Sequence, residues 1–327
     1  ERQIKFCCEI LKTLFNIQFF CKTEECDNTQ IEAFSALVSN LRTFLLCDAP
    51  PEHLKRLQNL QSDVINLLTV LPEESYRALI IPDCTESSTV ICADSLSMKA
   101  VGNIINFLDQ MLTKNEAREH PSNELLSPVL VALLNISKSN KIFRKYIRKK
   151  VLPNLTEVYK RPEEGDTLRN KLCRLLTSPV ISVTELVAEW LFVLCKENVG
   201  RMVKYTGYGN AAGLFARRGL MGGSIAYSDD SEDSDTEEYI KHKHMINPIV
   251  GCRMESHPDP MENMTDEQKE HVAMTLVNEI DKLQRGGIIH PCRIGKDGRP
   301  EPIEHVIQLQ SELPRQNKQF QIHDDGE

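Results

Sequence analysis

Residues 65–68 read Ile65-Asn66-Leu67-Leu68, residues 105–108 read Ile105-Asn106-Phe107-Leu108, and residues 133–136 read Leu133-Leu134-Asn135-Ile136. With Leu14-Phe15-Asn16-Ile17 they make four copies of an asparagine set among apolar residues. The gaps between the asparagines are 50, 40 and 29 residues, a mean of about 40. That period suits armadillo or HEAT units, each a small set of helices that buries its apolar face only by stacking on a neighbour. Chance asparagines on buried helices would give the same words at uneven spacing. A single helical bundle is the competing fold.

The text around these words favours helices in series. Ile4, Cys8, Leu11 and Phe15, then Leu37, Leu41, Phe44 and Leu45, recur at helical period. Alternating strand patterns are nearly absent before residue 206. Prolines fall between the periodic stretches, at Pro50-Pro51, Pro72, Pro82, Pro121, Pro153, Pro162 and Pro179, where they stop helices. The expected fold is all-α. An armadillo/HEAT-like repeat superhelix over 1–221 is followed by a disordered acidic linker over 222–264 and an amphipathic helix over 265–285. A mostly irregular tail over 286–327 follows, with a short helix near 302–311. The chain begins with Glu1 in what reads as mid-domain helix, so the expectation is a fragment whose N-terminal repeats are missing.

Bulk composition excludes several classes. The net charge is −8 over 327 residues, which argues against general nucleic-acid binding. No apolar run approaches the ~18–20 residues of a membrane-spanning helix, and no signal peptide is expected. Eleven cysteines occur without a Cys-x-x-Cys pair. Cys7, Cys8, Cys47, Cys173 and Cys195 lie in apolar runs and read as reduced core thiols of a cytoplasmic protein. The histidines and carboxylates form no recognisable triad, dyad or metal set, and His242, His244, His257 and Cys252 are too loosely spaced for zinc. No cofactor is expected. The glycine-rich Thr206–Gly213 lacks the Lys-Ser/Thr and the preceding strand of a phosphate loop, and reads as a tight connection closing the repeat domain.

Two charge runs of opposite sign stand out. Residues 138–150 hold seven basic residues and no acid. On one helical wheel Lys138, Lys141, Arg144, Lys145, Arg148 and Lys149 fall within about 140°, with Ile142, Phe143, Tyr146 and Ile147 opposite. A solvated face normally mixes signs, so this strip calls for an anion. Residues 227–239 hold seven acids and no base. Ser228, Ser231 and Ser234 are spaced by three, the register in which an acid-directed, casein kinase 2-type kinase works. Ser234 already has Glu237 three residues on, and each phosphate would prime the next serine. A solubilising linker is the plainer reading of the acidic run.

After the linker, Thr265-Asp266-Glu267-Gln268 fits a capping box and Gly286-Gly287 a helix stop. Between them Ala273, Leu276, Val277, Ile280 and Leu283 make one stripe, which either docks on its own domain or binds a partner.

The stretch from Lys204 to Leu220, KYTGYGNAAGLFARRGL, resembles the synembryn family, as do Arg161–Leu172, Ile246-Asn247-Pro248 and Pro260–His271, in order and spacing. The resemblance implies an armadillo/HEAT superhelix that acts, without covalent chemistry, as an exchange factor and folding chaperone for G-protein α subunits (Gα). It further implies that the Gα C-terminal helix lies in a groove, matching Phe15, Asn16 and Phe19, and that a later segment reaches the nucleotide domain. The stripe centred on Leu276, Val277 and Ile280 is the candidate for that second contact. Two phosphates in the acidic run are implied to pack on Lys141, Arg144 and Lys145. Ser234 matches one phosphorylated position, and the other falls on Ser228 or Ser231. The expected location is cytoplasmic, with recruitment to the plasma membrane open. A passive armadillo scaffold for helical or acidic peptides is the alternative.

Overall fold

A computed structural model describes residues 2–21, 27–82, 96–117, 123–222, 236–254, 261–305 and 308. Helices dominate: α1 (Arg2–Phe20), α2 (Asn28–Leu45), α3 (Leu54–Leu68), α4 (Lys99–Glu116), α5 (Ser127–Ser139), α6 (Lys141–Val151), α7 (Leu168–Leu175), α8 (Ile181–Leu194), α9 (Val199–Thr206), α10 (Tyr208–Arg218), α11 (Glu237–His242) and α12 (Asp266–Arg285). Three short antiparallel hairpins accompany them, β1–β2 (Ile81–Pro82 with Leu96–Ser97), β3–β4 (Ile246–Asn247 with Cys252–Arg253) and β5–β6 (Cys292–Ile294 with Pro300–Pro302). The described residues up to 214 and from 236 to 254 form one compact body. Residues 215–222 and those from 261 onward form a second.

Three of the four repeat words sit where a helical layer needs them; the first, Leu14-Phe15-Asn16-Ile17 on α1, holds no buried residue. Asn66 is half-buried, and Val64, Ile65, Leu67 and Leu68 around it are buried. Asn106 is exposed between buried Ile104, Ile105, Phe107 and Leu108, and Asn135 is half-buried among buried Leu133, Leu134, Ile136 and Ser137. Neighbours one and two residues away lie about 100° and 160° round a helix. α3, α4 and α5 are therefore buried on most of their circumference, and each asparagine marks the narrow strip left over. This is the all-α layered architecture that the repeat period implies. α3 packs against α1, α2 and α5, and α5 in turn against α6 and α8. Trp190 on α8 is fully buried and donates its indole N–H to Ser137 Oγ at 3.0 Å.

The charge composition of 222–264 suggests an unstructured linker, but residues 236–254 are built into the first body. Thr236 caps α11 and its hydroxyl donates to the Leu155 carbonyl, just beyond α6. Tyr239 is buried, and Lys204 Nζ stands 4.8 Å from its ring centroid. The β3–β4 turn then meets the glycine-rich connection. Tyr208 N–H donates to Pro248 O at 2.8 Å, Gly209 N–H to Ile249 O at 2.9 Å, and Arg253 N–H to Val158 O at 2.7 Å. Gly207 and Gly251 both take positive φ, 73° and 79°. A Cβ on Gly251 would lie 2.9 Å from Gly207 Cα and 2.7 Å from Pro162 Cγ. Two backbones meet there with no room for a side chain. Gly207 is thus the kink between α9 and α10, and with Gly209 it receives a strap from later in the chain.

In the second body the expected capping box forms: Gln268 N–H donates to Thr265 Oγ1 at 3.3 Å and Thr265 N–H to Gln268 Oε1 at 3.0 Å. Ile288 N–H returns to Leu283 O and Gly287 N–H to Gln284 O, with Gly287 at φ 68°, which is a Schellman stop. Among the described residues after it, 292–294 and 300–302 pair as strands where irregular chain is expected. The β5–β6 hairpin leads back to α12, where Gln284 Nε2 donates to Ile303 O at 3.1 Å and Glu304 O at 2.9 Å. The helix expected near 302–311 falls mostly outside the described residues, and 303–305 are not helical.

The strap's dependence on bare glycine is testable. Gly207→Ala is expected to destabilise the first body by roughly 1–3 kcal/mol, through left-handed strain and contact with Val250 O. Urea unfolding followed by the emission of Trp190, the sole tryptophan, measures it.

Candidate functional site

Lys141, Arg144, Lys145 and Arg148 line one wall of a cleft of ≈ 430 Å³. Val193 and Leu194 at the end of α8, with Lys196 and Glu197 of the following turn, make the other. α6 builds its wall by division of labour. Phe143, Ile147 and Val151 are fully buried, while Lys141, Lys145 and Lys149 are exposed and Arg144 and Arg148 half-buried. The apolar face holds the helix in place, and the cations lie on the other face.

The wheel drawn over 138–150 needs one correction. Helix α5 ends at Ser139, and Asn140 is extended (φ −151°, ψ 140°), capping α6 by accepting from Ile142 N–H at 2.8 Å. Lys138 therefore belongs to α5, where it pairs with Glu189 at 3.2 Å, and it does not line the cleft. Asparagine readily caps a helix, so the break is legible in Asn140 once a run of positive charge is not mistaken for a run of helix.

Behind the cleft, Arg148 NH2 donates to Tyr205 Oη at 3.2 Å, and Lys204 Nζ lies 5.4 Å from the Tyr205 ring centroid. Lys204 also faces Tyr239, so a chain of cation and ring contacts links the cleft to the strap. Lys196, Glu197, Lys204 and Tyr239 carry no sequence signal for this role, because they become neighbours only through folding. Ser228, Ser231 and Ser234 lie outside the described residues.

The other candidate residues lie on α1 in the first body and α12 in the second. On α1 Asn16 is exposed, Phe15 half-buried and Phe19 58% exposed, which removes Phe19 from the core. The Phe15 and Phe19 rings stack with centroids 5.8 Å apart, and Phe20 meets Phe19 edge-on at 5.5 Å. Cys8 and Leu11 are the buried residues of α1. On α12 Leu276 is 60% exposed, Val277 and Ile280 are half-buried, and no residue of the helix is buried.

The thiols separate by position. Burial pushes Cys173 and Cys195 up to about 12, so both stay protonated and inert. Burial and the hydrogen bond with Asp63 push Cys8 to about 11. The reading of Cys47 as core fails, because it follows the end of α2 and is exposed. Among the described residues no cysteine is in a disulfide, no cluster of His, Cys, Asp or Glu could hold a metal ion, and no helix is long and apolar enough to cross a membrane.

The two faces of α6 should separate on mutation. Phe143→Ala is expected to cost about 3–5 kcal/mol of stability, as loss of a fully buried ring does. Lys145→Ala should change it by no more than about 0.5 kcal/mol. Paired denaturant titrations check both.

A family model described as guanine nucleotide exchange factor synembryn matches residues 1–299. The chain is 41% identical over 339 residues to the chaperone Ric-8 of Drosophila pseudoobscura pseudoobscura, covering 97% of this chain and 59% of that protein. It is 51% identical over 232 residues to the chaperone Ric-8 of Drosophila melanogaster, 69% of this chain and 40% of that one. With the chaperone Ric-8A of Xenopus tropicalis it shares 46% identity over 303 residues, 92% of this chain and 54% of the relative. The chain spans about half the length of these relatives. With helical layers, strap and glycine-rich connection in the matched region, the chain belongs to the synembryn family.

Proposed function

We propose that the protein is a guanine nucleotide exchange factor and folding chaperone for G-protein α subunits. It binds the GDP-loaded subunit, promotes GDP release and stabilises the nucleotide-free form, with no covalent step and no cofactor. The observation that carries this reading is the family match over residues 1–299. Two apolar faces left in water support it. The aromatic edge of α1, with Phe15, Asn16 and Phe19, contacts the Gα C-terminal helix. The α12 stripe of Leu276, Val277 and Ile280 contacts its nucleotide domain. A working place in the cytoplasm, where Gα is met, goes with this reading.

The basic cleft serves regulation. A casein kinase 2-type kinase phosphorylates Ser234 and then Ser231 or Ser228, and the phosphates dock on Lys141, Arg144 and Lys145. Exposed lysine–carboxylate pairs contribute only ~0–1 kcal/mol each, too little to order a flexible segment. A phosphate adds charge-assisted hydrogen bonds roughly twice as strong as neutral ones. Residue 236 is fastened to Leu155, just beyond α6, and a tether there would raise the effective concentration of a phosphorylated run at the cleft.

GDP release from purified Gα tests the function. Added protein should accelerate it, and Leu276→Asp with Ile280→Asp should remove most of the acceleration while the thermal midpoint of the first body holds. Phe19→Ala should weaken binding of a Gα C-terminal peptide by roughly 1–3 kcal/mol. Unchanged GDP release with intact peptide binding would instead leave a passive scaffold.

A further inference from the structure

Helix α8 ends in a Schellman stop: Glu197 N–H returns to Phe192 O at 2.9 Å and Lys196 N–H to Val193 O at 3.0 Å. The residue after the cap in this motif must take positive φ, and glycine usually fills it because an L side chain there is strained. Here the position holds Lys196 at φ 56°, and Glu197 follows at φ 55°. They are the two non-glycine residues with positive φ among the described residues. The stop of α12 uses Gly287 for the same job. Strain of this kind persists where the side chain is needed, and both residues line the basic cleft.

We infer that Lys196 is a specificity-determining residue of the phosphate cleft, placing a cation on the wall opposite α6 so that a phosphoserine is held from two sides. This rests on the reading of the cleft as a phosphate site. The four α6 cations all approach an anion from one helix. A tetrahedral phosphate has oxygens left over for a donor on the far wall, which a planar carboxylate fills less well. Lys196 thus separates a phosphorylated run from a merely acidic one. The cost is a helix stop less stable than a glycine would make it.

The test uses the full chain, unphosphorylated, and a synthetic peptide of residues 226–238 carrying phosphate on Ser231 and Ser234, beside the same peptide bare. Lys196→Gly is expected to raise the thermal midpoint by roughly 2–4 °C through released strain. It should weaken the phosphopeptide about tenfold, one charge-assisted contact, and leave the bare peptide's weak binding nearly unchanged. Glu197→Gly releases strain at the next residue but keeps the cation, so its phosphopeptide affinity should not fall. Lys145→Gln serves as the check on the cleft itself. If Lys145→Gln weakens the phosphopeptide and Lys196→Gly does not, the inference fails while the docking reading stands. If both glycine variants weaken it alike, backbone change is the cause and the inference also fails. If neither Lys145→Gln nor Lys196→Gly alters binding, the cleft is not a phosphate site and both fall together.

Discussion

The contact between the backbones of Gly207 and Gly251 is the constraint on which the rest of the first body depends. It lets the turn after β3 lie against the start of α10, where Tyr208 and Gly209 N–H groups find the carbonyls of Pro248 and Ile249. Those N–H groups open a helix, so without the strap they would lack intrahelical partners. With the strap in place, Tyr239 is buried and Thr236 is fastened to Leu155. A segment whose composition is that of a linker becomes part of the layered helices.

Helix α6 shows why a charge run and a packing element can share the same eleven residues. Burial of Phe143, Ile147 and Val151 holds the helix without help from its cations. Each buried apolar side chain contributes ~1.5–3 kcal/mol, while exposed ion pairs contribute ~0–1 kcal/mol. Apolar packing therefore wins, and the like charges are tolerated at a modest cost. Lys196 stands across the cleft from this face, in a turn strained by its positive φ.

Much of this was legible in the sequence. Three of the four asparagine words mark the helices buried on most sides, α3, α4 and α5, while the first falls on the largely exposed α1, and Thr265 with Gln268 and Gly287 mark both ends of α12. The resemblance at Lys204–Leu220 named the family that the comparison then established. What stayed hidden was long-range. Nothing local in residues 236–254 shows that Tyr239 will be covered by Lys204, because the residues that bury it lie some 35 to 85 positions earlier. The hairpin after α12 was read as irregular, since Gly295-Lys296-Asp297-Gly298 signals a turn but its strands are only three residues each. Asn140 was overlooked because positive charge continues across it. That Phe19 faces solvent follows only from the packing of α1.

Amide hydrogen exchange of the untreated protein tests the strap most directly. If residues 236–254 belong to the repeat body before any phosphorylation, the amides of Tyr208, Gly209, Gly251 and Arg253 exchange slowly, with the same protection as the buried helices α5 and α8. Treatment with casein kinase 2 should then leave those four amides unchanged and add protection along α6. Fast exchange at all four in the untreated protein, slowing only after treatment, would contradict a strap held by glycine packing and make phosphate docking the cause of its order.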